Sequence, residues 1–206
     1  VSGAKVCQPF TDGNPMPFPA HRHTNPDGTA GGWVAETAQV YGNAWVYGDA
    51  QVYGDARVSG NARVSGDARV YGDARVFGNA RVFGDAQVSG DARVYGNAWV
   101  YGDARVSGDA RVSGNARVYG DAQVYGNAQV SAPRHVLTLG PVGSEDQTVT
   151  LARTESGHLL TVGCWRDGTV DQLADEVQRR CPHMADEYAA VETLLRLRVS
   201  GWEAGR

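Results

Sequence analysis

From Val34 to Val130 a valine recurs every six residues without a slip, seventeen in all. The unit reads Val-(Tyr/Ser/Phe)-Gly-(Asp/Asn)-Ala-(Arg/Gln/Trp), as in Val70-Tyr71-Gly72-Asp73-Ala74-Arg75. A six-residue period suits an α-helix poorly, because its buried face needs apolar spacings of three and four. Valine favours extended backbone, and a glycine followed by Asp or Asn is turn chemistry. Each unit therefore reads as a short strand and a bend. A slower period closes the coil. Asn occupies positions 43, 61, 79, 97 and 115, and Asp occupies 49, 67, 85, 103 and 121, both at intervals of 18. Three units then make one coil, with identical corners stacked above one another. Asn tolerates left-handed backbone, and Asn43, Asn61, Asn79, Asn97 and Asn115 are placed to form a ladder of amide hydrogen bonds.

The valine row and, four positions later, the alanine row from Ala38 to Ala128 resemble the inward positions of the hexapeptide-repeat family. That family forms left-handed parallel β-helices and includes many bacterial acyltransferases. The resemblance covers residues 34–131. It implies an all-β solenoid: a three-sided, left-handed parallel β-helix with 18-residue coils. One departure stands out, since the family commonly has glycine in the second place, where this chain has Tyr, Ser or Phe. Sixteen full units give a little over five coils, about 25 Å long at ~4.8 Å per stacked strand. Such a prism needs a cap at each end to cover its open strand edges. Residues 1–33, rich in Pro and Gly, are expected to form an irregular N-terminal cap, with Trp33 covering the first coil. The solenoid is assigned to 34–133, where Pro133 takes the place of the next ladder Asn and cannot donate to a strand ladder.

Residues 134–206 read as a small α+β C-terminal module. Strands are expected over 136–139, 148–154 and 159–164. A capping box at Thr169-Val-Asp-Gln172 opens a helix with Val170, Leu173, Val177 and Cys181 on one side. Pro182 ends it, and a second helix from about Met184 to Val199 groups Tyr188, Val191, Leu194 and Leu195 as its apolar residues. Through Gly140–Ser144 and Gly163–Trp165, this tail resembles those attached to hexapeptide solenoids in phage and prophage proteins.

In the related acyltransferases a histidine acts as general base near a loop that interrupts the coil. Here the solenoid has no such insertion, and no His, Lys or Cys lies between Val34 and Val130. No catalytic residue is assigned, because a base needs a titratable group in reach of substrate. Two groups could ligate metal: Cys7 with His21 and His23, and Cys164, Cys181 and His183 with His158. Neither has paired Cys-x-x-Cys spacing, so no metal site and no cofactor is assigned. Gly140-Pro-Val-Gly-Ser144 reads as a turn rather than a phosphate loop. Nine Arg and nine Asp in the repeat cancel, leaving no basic stripe for nucleic acid; the whole chain carries a net charge of −4. No run approaches the ~18 apolar residues that cross a bilayer, no charged-then-apolar leader opens the sequence, and three cysteines suit a reducing compartment. A cytoplasmic location without membrane contact is expected.

The aromatic second positions remain. On the 18-residue register Phe83, Tyr101 and Tyr119 share one row, Phe77 and Tyr95 a second, and Tyr53 and Tyr71 a third. Rows of rings beside rows of Arg make a flat face suited to a protein partner or to self-association as a homo-oligomer. The expected function is a non-catalytic scaffold or interaction protein of phage type, in which the C-terminal module adds recognition. The alternatives are a hexapeptide-type acyltransferase and a protein that sequesters a small ligand such as a nucleotide.

Overall fold

A computed structural model describes residues 17–143 and 145–204. Strand β1 (Ala20–Thr24) pairs antiparallel with β2 (Ala30–Ala35). Sixteen short strands follow at six-residue intervals, from β3 (Gln39–Val40) to β18 (Gln129–Val130). Every third strand pairs in parallel, in register, with the one 18 residues on: Arg57 with Arg75, Arg75 with Arg93, Arg93 with Arg111. Three sheets result, and they form the three faces of a prism of about five coils. The first face carries positions 33, 51, 69, 87, 105 and 123, the second 39 to 129, and the third 45 to 117.

The interior is uniform. Val46 to Val130 of the valine row are completely buried, and so are Ala50 to Ala116 of the alanine row. Strand N–H groups donate to the next coil, as in Arg63 N to Ala80 O (2.9 Å) and Ser65 N to Val82 O (3.0 Å). At each corner it is the glycine, not the Asn or Asp, that takes positive φ, for example +73° at Gly78. The Asn of the ladder is therefore free of the conformational role expected of it. Corner glycines also stack closely: a Cβ on Gly60 would lie 3.0 Å from the backbone nitrogen of Gly78.

The chain before the first coil is not irregular throughout, since residues 20–35 form the β1–β2 hairpin. This hairpin closes one end of the prism. Gly31 and Gly32 allow the approach, because a Cβ there would run into the carbonyl oxygens of Val46 and Ala50. Buried Asn25 accepts the otherwise open Val46 N–H through Oδ1 (3.1 Å), and Arg22 Nη1 donates to Gly31 O and Gly48 O. Trp33 is buried beneath the Arg22 guanidinium, 4.6 Å from the ring centroid.

At the other end Pro133–His135 form a 3-10 turn that leads into an antiparallel sheet of β19 (Val136–Val142), β20 (Gln147–Arg153), β21 (His158–Val162) and β22 (Trp165–Gly168). Strand β22 is additional to the three expected. Its Trp-Arg-Asp-Gly sequence reads as a turn, and Asp167 indeed has φ +58°. The sheet closes the last coil: Ala152 joins the prism core, and Thr150 Oγ1 accepts the Gln123 N–H (3.0 Å). Helices α1 (Val170–Arg180) and α2 (Ala185–Ala204) cover the sheet around Leu151, Leu160, Leu173, Tyr188, Leu195 and Trp202. Gln172 Oε1 accepts the Thr169 N–H (3.0 Å) at the start of α1, as the capping box requires. Leu194, expected among the apolar residues of α2, is instead 44% exposed. No helix among the described residues is long and apolar enough to cross a membrane.

Candidate functional site

Parallel register turns a sequence period into columns of like side chains, and these columns are the chemistry the prism presents. The Asn column is a continuous amide ladder. Asn43 Nδ2 donates to Asn61 Oδ1, Asn61 to Asn79, Asn79 to Asn97 and Asn97 to Asn115, at 3.2–3.4 Å. It runs along the corner between the second and third faces.

The three aromatic rows fall as the register requires. On the third face Phe83 stacks on Tyr101 (centroids 4.9 Å, planes 3° apart) and Tyr101 on Tyr119 (5.5 Å, 19°). Phe77 stacks on Tyr95 on the second face, and Tyr53 on Tyr71 on the first. Each such pair contributes about 0.5–1.5 kcal/mol beyond the area it buries, so the rows stabilise the prism as well as decorating it. On the first face Phe18 leans on Tyr53, whose phenol is pushed up chiefly by burial, and Arg166 covers Tyr125. These neighbours partly close that row.

The third face is different in kind. Beside its three stacked rings stands a second column, Trp45-Arg63-Arg81-Trp99-Arg117. Trp99 lies between two guanidinium groups, Arg81 at 4.9 Å and Arg117 at 5.4 Å, and meets Phe83 edge-on at 6.0 Å. The sequence count of Arg against Asp conceals how the charges are arranged. Asp occupies the two corners that flank the first face, while the corner between the second and third faces carries the neutral Asn ladder. Among the described residues no Arg of the prism forms an ion pair with an Asp; all four ion pairs lie in the C-terminal module.

With the columns in place, their repeat can be compared with known proteins. Residues 38–54, 50–66, 56–72, 62–76, 86–102, 104–120 and 110–126 each match the family model described as YdcK beta solenoid repeat. This chain is a β-solenoid repeat protein. The matches together cover less than half of the chain and lie wholly within the solenoid. No curated protein and no solved structure matches it.

Outside the solenoid, the cysteines and histidines weighed as metal ligands are dispersed. Cys7 lies outside the described residues. His21 pairs with Val34 across the β1–β2 hairpin, and His23 is held below its ordinary pKa, mainly by burial. His158 belongs to a different part of the module from Cys164: its Nε2 accepts the Val170 N–H (3.0 Å) and anchors the start of α1. Cys164, Cys181 and His183 do line one cavity of about 300 Å³ with Trp165, Arg180 and Tyr188. Arg180 Nη1 donates to Cys164 Sγ (3.4 Å) and also pairs with Glu176, whose carboxyl is held low first by Arg179. Among the described residues no three His, Cys, Asp or Glu side chains gather as a metal cluster. Of the turn at 140–144, Ser144 lies outside the described residues; Gly140 and Pro141 fall within β19.

Sequence reasoning missed the Arg81–Trp99–Arg117 column and the exposed side of α2. The first was readable from the 18-residue register, because Trp99 stands between Arg81 and Arg117 at that interval. The second depends on where the module sits, which no spacing in the sequence reveals.

Proposed function

We propose that this protein is a non-catalytic scaffold whose third face binds a protein partner or a second copy. The observation that carries the reading is the pairing of two columns, Phe83-Tyr101-Tyr119 and Arg63-Arg81-Trp99-Arg117, on one flat face. Trp, Tyr and Arg are the residue types that dominate interface energetics, and here they are fixed by the coil register before any partner arrives. The resemblance of the tail to those of phage and prophage solenoid proteins agrees with a structural rather than a metabolic role.

The repeat supplies its own control, because Ser65 already occupies the third-face aromatic column. A Phe83→Ser, Tyr101→Ser, Tyr119→Ser variant is expected to keep its far-UV circular dichroism. It should lose captured partner, or self-association measured by light scattering, at least tenfold. The second-face variant Phe77→Ser, Tyr95→Ser should lose neither. Equal retention by wild type and the third-face variant would overturn the proposal.

A further inference from the structure

Helix α2 has two apolar sides. Tyr188, Leu195 and Trp202 point into the module and are buried. Ala190, Leu194, Leu197 and Gly201 follow at helical spacing on another side, and all are exposed, Leu197 by 66%. Gly201 has neither steric nor conformational reason to be glycine: a Cβ there would meet nothing within 4 Å, and its φ is ordinary. An exposed helical glycine costs about 1 kcal/mol against alanine, and here it leaves bare backbone open to close approach.

This stripe adjoins the end of the third face. A cavity of about 390 Å³ is bordered by Tyr101, Arg117, Tyr119, Leu137 and Arg198. A second, of about 320 Å³, is bordered by Arg134, Leu194, Leu197, Arg198, Gly201 and Trp202, so Arg198 belongs to both. Three of the four large hydrophobic side chains most exposed among the described residues, Tyr119, Leu194 and Leu197, line these two hollows. Among the described residues neither hollow has a carboxylate in its lining, and Arg117, Arg134 and Arg198 form no ion pair. Arg196, two residues before Arg198 in α2, is by contrast paired with Asp171 and Glu192.

We infer that this junction docks an acidic protein segment carrying apolar anchor side chains, a specification that rests on the third face being an interaction surface. Paired hollows accept side chains, and three guanidinium groups that no carboxylate among the described residues neutralises select carboxylates.

The test is an anisotropy titration of the full chain with a fluorescein-labelled Glu/Leu peptide with leucines at helical spacing, and with its Gln-for-Glu counterpart. The acidic peptide should saturate, with the Gln counterpart at least tenfold weaker. Leu197→Ser, at an exposed position, and Arg198→Glu, at a half-buried one, should each weaken binding about tenfold while circular dichroism stays unchanged. Equal binding of the two peptides, indifference to Arg198→Glu, or binding of phosphatidylglycerol vesicles in place of the peptide would overturn the inference. Indifference to Arg198→Glu leaves the third-face reading intact. Partner retention by the third-face serine variant, with peptide binding still sensitive to Arg198→Glu, defeats only that broader reading.

Discussion

Alanine substitution at two corner glycines separates two reasons for the glycine column. Gly54 and Gly120 both hold positive φ, +68° and +60°. Only at Gly54 does a further corner lie on the side a Cβ would occupy, so that the added Cβ would sit 2.9 Å from Gly72 N and 3.1 Å from Gly72 O. At Gly120 the same Cβ meets nothing within 4 Å. Left-handed backbone costs a non-glycine residue about 1–2 kcal/mol. Roughly 0.4–1 kcal/mol of this is offset because alanine stiffens the unfolded chain. Gly120→Ala should therefore lose about 1 kcal/mol. Gly54→Ala adds an overpacking cost of about 1–3 kcal/mol, because the obstructing atoms are backbone held in the coil ladder and cannot swing aside. At roughly 2–4 °C per kcal/mol for a chain of this size, Tm should fall by a few degrees for Gly120→Ala and by about 5–15 °C for Gly54→Ala. Thermal unfolding followed by circular dichroism reads both. Equal shifts would refute the stacking argument, and no shift at either position would refute the conformational one.

Two further outcomes follow from hydrogen bonding. Asn79 both donates and accepts in the amide ladder, whereas Asn115 accepts from Asn97 at its end, so Asn79→Ala should cost about 1 kcal/mol and Asn115→Ala about half as much in urea denaturation. His135, buried at the prism-to-module junction, is held below its ordinary pKa of 6.5 by burial first, then by Arg153 and Arg134. Nδ1 accepts the Ser131 N–H (3.3 Å) and lies 3.1 Å from Ser131 Oγ, while Nε2 lies 3.2 Å from Arg153 Nη1, so a doubly protonated ring would set an N–H against a donor on each side. The unfolded state then binds the proton more readily than the folded one. Stability from this group is present above pH 6.5 and falls as pH drops below it; His135→Gln should flatten that slope in unfolding measured from pH 7.5 to 5.

The repeat was legible because each inward position is filled by the same residue type coil after coil, so spacing alone gave sheet order and ring partners. Phe83, Tyr101 and Tyr119 could be assigned to one column before any coordinate was known. The turn was less legible: Gly-Asn offers two residues that tolerate positive φ, and only the backbone shows that Gly78 rather than Asn79 adopts it. The N-terminal hairpin was hidden because its glycines, Gly31 and Gly32, serve close approach to the first coil rather than a bend. In α2 the individual residues gave no second period to compare. Leu194 and Leu195 look alike in sequence, and only packing against the sheet buries one and exposes the other.

The in-register stacking also makes the solenoid a ruler whose length and azimuth are coupled. Removing 18 residues would shorten the prism by one rung and leave every face and the C-terminal module pointing as before. Removing a single six-residue unit would turn everything downstream by a third of a revolution. Helix α2 would turn with the last coil and keep the hollow that Arg198 shares with Tyr119 and Arg117, but the columns before the deletion would no longer run into it. Length can therefore change only in whole coils if the columns are to run unbroken to that junction, so the number of repeats is constrained by direction as much as by reach.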